Sequence, residues 1–243
     1  MNQAFEMERI DNIRGLGGDE RLRTASKEWI RDVSRHKYSY NFNWLGRPII
    51  QFPQDIIAMQ EIIWGVKPEL IIETGIAHGG STIFYASMLE LIGNNGRVIG
   101  IDIEIREHNR RAIEAHPMYR RIELIEGDST APAIINEVNK RAAGRSPILV
   151  ALDSNHTHSH VLKELEAYSP MVTKGSYLVV FDTVIENMPQ GYYSDRPWDV
   201  GNNPKTALRQ FLSKNKRFSS DKTFDDKLLI SVAPEGYLKC ISD

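Results

Sequence analysis

The sequence predicts an α/β fold: a doubly wound, mostly parallel, Rossmann-like sheet with an N-terminal helical segment and a C-terminal antiparallel hairpin. Three observations predict it. Between residues 70 and 181, five short apolar runs alternate with four helical segments, the pattern of βαβ units. The runs are continuously apolar, as expected for strands covered by helices on both faces. The first run enters a glycine-rich turn, Gly75 to Gly80, that opens a helix. That is where open α/β sheets place their ligands.

Taken in order, residues 1–45 are charged and weakly periodic, with helices expected around 7–13 and 25–35. This segment is assigned as a lid or a subunit contact, and residues 46–243 as the α/β domain. The aromatic stretch 38–44 is either a loop packed on the core or part of that lid. Asp55 caps an apolar helix over 56–64, ended by Gly65. The strands follow at 70–73, 97–103, 122–126, 147–152 and 176–181. The helices between them are at 82–91, 107–115, 131–142 and 158–168. A long irregular stretch, 184–203, carries Tyr192, Tyr193 and Trp198, and connections of this length are usually functional. A helix at 205–212 precedes two tail strands, 228–232 and 237–241, joined by Pro234-Glu235-Gly236.

Composition narrows the class. The 243 residues suit one large domain, and a 41% hydrophobic fraction is enough for a sizeable core. Thirty basic residues against 32 acidic ones, net −2, give no electrostatic reason to expect nucleic acid or an anionic membrane. The single cysteine, Cys240, excludes an intramolecular disulfide and a cysteine metal cluster. There is no secretory leader pattern, and no run approaches the ~20 apolar residues of a membrane helix. The expected location is the cytoplasm.

The turn Glu73-Thr74-Gly75-Ile76-Ala77-His78-Gly79-Gly80-Ser81 carries the first chemical signal. It lacks the lysine of a phosphate loop, and Ala77 replaces the second glycine of a dinucleotide fingerprint. Glu73, an acid at the strand tip, disfavours phosphate and favours a cationic ligand such as S-adenosylmethionine. The second strand ends at Asp102, placed to accept both hydroxyls of a ribose. The third ends in Asp128-Ser129, beside the adenine position. The cofactor candidates are therefore Glu73, Gly75, Ile76, Ala77, Ser81, Asp102, Asp128 and Ser129.

The fourth strand runs into Asp153 and the fifth into Asp182. Adjacent parallel strands bring these two acids close enough to share a divalent cation, and oxygen ligands suit Mg²⁺. His156 is the candidate general base, with Asp153 beside it in the catalytic set. A zinc site built from His156, His158 and His160 is the sharper alternative.

Together these segments resemble the cephalosporin hydroxylase-type family of class I methyltransferases, which includes rhamnosyl O-methyltransferases. The resemblance covers about residues 44–241. It rests on residues 67–75, Gly79-Gly80-Ser81, residues 100–103, the run Leu152-Asp153-Ser154-Asn155-His156-Thr157-His158-Ser159-His160-Val161, residues 175–180 and residues 236–239. It implies S-adenosylmethionine contacts at Glu73, Gly75, Ser81, Asp102 and Asp128, and a metal near Asp153 and Asp182. The family usually carries an acid just before Asp182, where this chain has Phe181. Losing that carboxylate should either weaken Mg²⁺ binding or shift its ligand role to a neighbour such as Asn155 or Glu186. The expected activity is O-methylation of a sugar or polyol-like hydroxyl, with Mg²⁺ assistance and with a homo-oligomer left open. The competing readings are a cofactor-binding protein without transfer activity and a nicotinamide-dependent oxidoreductase. A cofactor screen separates these.

Overall fold

The computed structural model describes residues 2–243. Its central sheet has seven strands: β3 (Leu70–Thr74), β4 (Arg97–Asp102), β5 (Ile122–Glu126), β6 (Ile148–Leu152), β7 (Tyr177–Val180), β8 (Phe218–Ser220) and β9 (Tyr237–Cys240). They lie in the order β5-β4-β3-β6-β7-β9-β8. β3 pairs in parallel with β4 on one side and β6 on the other, so the chain reverses direction across the sheet at β3/β6. β9 runs antiparallel to both β7 and β8.

Alternation along β3 shows why the sheet is covered twice. Leu70 and Ile72 face one apolar cluster, shared with α6 (Pro132–Ala142), α7 (His158–Tyr168) and α8 (Pro204–Lys214). Ile71 faces the other, shared with α3 (Pro53–Val66) and α4 (Gly80–Ile92). A period of two with both faces apolar confines the strand's polar residues, Glu73 and Thr74, to its C-terminal end.

The N-terminal helices α1 (Gln3–Gly18) and α2 (Glu20–Ser34) join this body rather than standing apart. Asp19 caps α2 by accepting from the Leu22 amide, and Ile30 is buried in the core. α1 lies on α9 (Lys222–Leu228). The aromatic stretch packs: Tyr38 sits edge-on to Trp29, Phe42 and Phe52, and Trp44 donates its indole N–H to Ser87 at 3.0 Å. A small hairpin, β1 (Phe42–Trp44) with β2 (Arg47–Ile49), closes over the start of α4.

Two expectations need correction. Asp55 is not a helix cap: α3 begins at Pro53 after Phe52. The Asp55 carboxylate is instead buried and accepts from the Ser231 hydroxyl, the Val232 amide and the Tyr237 hydroxyl. The C-terminal antiparallel pairing is present, but its first strand is β8, not residues 228–232. Asp221 caps α9 through the Thr223 amide, and the helix consumes the chain up to Leu228. Leu229 then takes a positive φ of 56°, which no strand continues through.

Candidate active site

The loops after β3, β4 and β5 form one half of the crevice. Gly75 follows β3 at φ +82°, and a Cβ there would lie 2.1 Å from the Asp153 carbonyl oxygen. Glycine is therefore required where the loops on either side of the switch point touch. Gly80 is equally constrained, since its Cβ would lie 2.1 Å from the Pro48 carbonyl of the covering hairpin.

Asp102 organises this turn. Its Oδ2 accepts from the Ile76 amide at 3.0 Å and the Ala77 amide at 3.1 Å. The Ile76 and Ala77 amides thus already have an anionic partner, and a pyrophosphate would find them taken. This counts against the dinucleotide reading. The turn's carbonyls are also held. Arg47 donates to His78 O at 2.6 Å, and the Asn109 side-chain amide donates to Ala77 O at 3.2 Å. Arg47 also donates to Asn109 Oδ1 at 3.0 Å, which closes the clamp. Sequence reasoning missed both residues. Each acts across 31 residues or more of chain, so no local spacing marks either.

Glu73 is 1% exposed. Its Oε2 accepts from the Thr82 hydroxyl at 2.5 Å, and the Ser81 hydroxyl is a second partner. Burial pushes this carboxyl up to about 7 against the pull of those hydroxyls. Glu73 and Ser81 therefore meet each other at the first turn of α4. Asp128 is exposed, and its Oδ1 accepts from the Thr130 amide at 2.8 Å. That bond is the largest cause holding its carboxyl below the usual range.

Ser129 faces inward rather than into the crevice. Its hydroxyl donates to Glu164 Oε1 at 2.6 Å, and Ser154 donates to the same oxygen at 2.7 Å. His160 Nε2 lies 3.2 Å and 3.1 Å from these hydroxyls. Glu164 is fully buried, and so ties the loop after β5 to the loop after β6.

The other half of the crevice holds Asp153, His156 and Asp182. One ligand atom from each lies within 4.8 Å of the others. His156 Nε2 is 3.2 Å from Asp182 Oδ2. The imidazole packs edge-on to Trp198, with ring centroids 4.6 Å apart. Asp182 occupies this place through a left-handed turn at φ 54°. Burial lifts the Asp153 carboxyl well above its ordinary range, and the nearby charges of Asp182 and Glu73 add to this. Two carboxylates and an imidazole converging on one point, with a third carboxylate nearby, form a donor set suited to a divalent cation.

The neighbours proposed to replace the missing acid do not. Asn155 Oδ1 accepts from the Thr157 amide and hydroxyl at the start of α7. Glu186 Oε2 accepts from the Gly201 amide and the Asn203 side chain, pinning the long connection. Phe181 is 1% exposed in the core. The three-histidine zinc reading also fails. His158 bridges Thr206 and Gln210 on α8, and His160 serves the Glu164 network. Only His156 reaches the crevice acids.

Comparison with known proteins gives the family. Residues 36–241 match the family described as "Rhamnosyl O-methyltransferase/CmcI". A rhamnosyl O-methyltransferase of Mycobacterium leprae is 33% identical over 162 residues, covering 63% of this chain and 68% of its own. One from Mycobacterium tuberculosis H37Rv is 29% identical over 217 residues, covering 84% and 82%. Among solved structures, CmcI with Mg and S-adenosylmethionine shares the fold at a TM-score of 0.59, with 18% identity and coverage of 84% and 78%. An O-methyltransferase from Bacillus cereus in complex with S-adenosylhomocysteine does so at 0.51, with 18% identity and coverage of 80% and 81%. The chain belongs to the rhamnosyl O-methyltransferase/CmcI family of S-adenosylmethionine-dependent O-methyltransferases.

Proposed function

We propose that the protein transfers the methyl group of S-adenosylmethionine to a hydroxyl of a rhamnosyl or related sugar acceptor, and that Asp153 and Asp182 hold a divalent cation beside it. The convergence of Asp153, His156 and Asp182 across the crevice from the Gly75 turn carries this reading. The sugar class is inferred from the names of the mycobacterial relatives.

The residues divide the work. The turn from Gly75 to Ala77, fixed by Asp102, receives the cofactor. Asp102 would meet the ribose and Asp128 would flank the adenine. When bound, the cation supplies Lewis-acid stabilisation of negative charge developing on the acceptor oxygen. His156 takes the hydroxyl proton as the oxygen attacks the S-methyl carbon in line. The carbon–sulfur bond breaks, its electron pair returns to sulfur, and the neutral thioether departs. Asp182, in contact with His156, orients the ring and offsets the positive charge gained with the proton. Trp198 and the 184–203 connection wall the acceptor side from water.

The contact between His156 and Asp182 favours a second reading, in which the imidazole is the third metal ligand. His156→Asn separates the two. Loss of turnover with unchanged Mg²⁺ affinity identifies the base, and loss of Mg²⁺ affinity identifies the ligand. The proposal as a whole is tested with a labelled methyl donor and a panel of rhamnosides and other glycosides. Label transfer that stops on chelation and returns with Mg²⁺ is expected. No transfer to any glycoside, with no binding of S-adenosylhomocysteine, would sink it.

A further inference from the structure

A second cavity, of about 290 Å³, lies on the far side of the turn that starts at Asp182. Val184, Asn187 and Met188 line one wall, α2 another and α8 a third. Its lining includes none of Asp153, His156, Asp182 and Trp198, although the Thr183–Asn187 turn connects the two.

Its charges are unusual. α2 presents Arg23 and Lys27 to the cavity, and α8 presents Lys205 and Arg209. Each pair is spaced i,i+4, so both helices set like charges side by side, which destabilises an isolated helix. Lys205 is 4% exposed and sits in the first turn of α8, where the helix dipole also opposes a cation. The two acids in the lining are Asp225 and Glu235. Glu235 pairs with Lys205 at 2.9 Å and stands 3.6 Å from Arg209. It reaches them from a left-handed backbone at φ 68°, a costly conformation for a residue with a Cβ. Asp225 accepts from the Glu235 amide at 2.8 Å, and burial lifts its carboxyl to about 6. Arg23 also meets Asp226 at 3.6 Å. Lys27 has no charged partner among the described residues. Four cations against two acids leave the lining at +2.

We propose that this cavity is a binding site for a phosphate-bearing anion, a diphosphate or a phosphorylated sugar, gripped between Arg23 and Lys27 of α2 and Lys205 and Arg209 of α8. Two cationic pairs lining one cavity lose their mutual repulsion when a multiply charged anion enters. Guanidinium and ammonium groups are the usual partners of phosphate oxygens. The volume is about ten waters' share of liquid, and a diphosphate has nine heavy atoms. The assignment does not rest on methyl transfer. It would hold if the crevice had another activity.

The test is calorimetric titration of the full chain with inorganic pyrophosphate at constant ionic strength. The double variant Lys27→Ala/Arg209→Ala is compared with a charge-matched control, Lys140→Ala/Lys174→Ala, whose side chains are exposed and outside the cavity lining. The wild type and the control are expected to bind alike, and the cavity variant about tenfold or more weakly. Affinity for S-adenosylhomocysteine should be unchanged in all three, which shows that the variants are folded. No heat of binding in the wild type, or equal weakening in cavity variant and control, overturns the proposal. Two further arms identify the source of the phosphate. A nucleoside-diphosphate sugar that binds more tightly than pyrophosphate, and more tightly still with S-adenosylhomocysteine present, marks the site as part of the acceptor's binding. Pyrophosphate binding that is indifferent to S-adenosylhomocysteine marks a separate effector. Each supports the anion site.

Discussion

The two halves of the crevice differ in how their polar groups are satisfied. On the cofactor side, nearly every group has an internal partner. Asp102 takes the Ile76 and Ala77 amides, Glu73 takes Thr82, and Arg47 with Asn109 holds the turn's carbonyls. On the acceptor side, Asp153 and Asp182 stand together, and their charges add rather than cancel. The first half is preorganised by its own hydrogen bonds, so binding a cofactor there loses little ordering entropy. The second half needs a cation or a proton to be at ease. One half is held by its own hydrogen bonds and the other is electrostatically unbalanced, which suits the proposed division between cofactor binding and chemistry.

Breaking the reactive half should produce the largest effect. His156→Ala is expected to lower turnover about 10²- to 10⁴-fold, equivalent to roughly 3–5 kcal/mol of barrier, with cofactor affinity nearly unchanged. Single-turnover kinetics alongside calorimetry measure both. A variant that turns over normally removes His156 from the chemistry.

Joining the halves too tightly comes next. Gly75→Ala places a methyl group against the Asp153 carbonyl at a backbone conformation that disfavours it. It should cost about 2–5 kcal/mol by combining backbone strain with overpacking. Gly144 has a similar φ of +76° and open space around it, so Gly144→Ala should show only the strain, about 1–2 kcal/mol. Urea denaturation of the pair isolates the contact across the switch point.

Glu73 gives the preorganised half a pH signature. Its carboxyl stands at about 7 against an ordinary 4.5. The folded protein therefore binds an extra proton between those values. The associated stability is fully present below about pH 4.5 and is lost as pH rises through 7, roughly 3 kcal/mol in all. Glu73→Gln should flatten that part of the stability–pH curve. An unaltered slope would place the titration elsewhere.

The legible part of this molecule is the part written locally. The strand read at 122–126 coincides with β5, and those at 70–73 and 97–103 fall within a residue of β3 and β4, because buried parallel strands are continuous apolar runs. The glycine turn and the strand-tip acids were legible because strand ends converge in this fold whatever the intervening helices contain. Arg47, Asn109 and Glu164 were not, since each finds its partners through tertiary packing that no local spacing encodes. The tail misled because residues 228–232, Leu-Leu-Ile-Ser-Val, are apolar except for Ser231 and include the β-branched Ile230 and Val232. The Asp221 cap upstream decides their conformation instead. Phe181 was visible as a departure, but that Asn155 and Glu186 are engaged elsewhere, leaving His156 beside the acids, needed coordinates.

The smallest effect sharpens the comparison most. Asp102→Asn keeps an oxygen for the Ile76 and Ala77 amides but removes the charge, and charged hydrogen bonds are about twice as strong as neutral ones. Cofactor affinity should fall about five- to tenfold, near 1 kcal/mol. That loss has two sources: a looser turn, or a weaker grip on the ribose. S-adenosylhomocysteine lacking its ribose hydroxyls tells them apart. If Asp102 touches the ribose, the wild type discriminates against the deoxy ligand and the variant discriminates less, because the contact is already weakened. If Asp102 acts only through the turn, both proteins lose the same affinity for the deoxy ligand, and the carboxylate is a positioning residue. Equal losses would move Asp102 from the ligand's contacts to the scaffold that shapes them, and the cofactor half would then recognise its ligand through backbone shape alone.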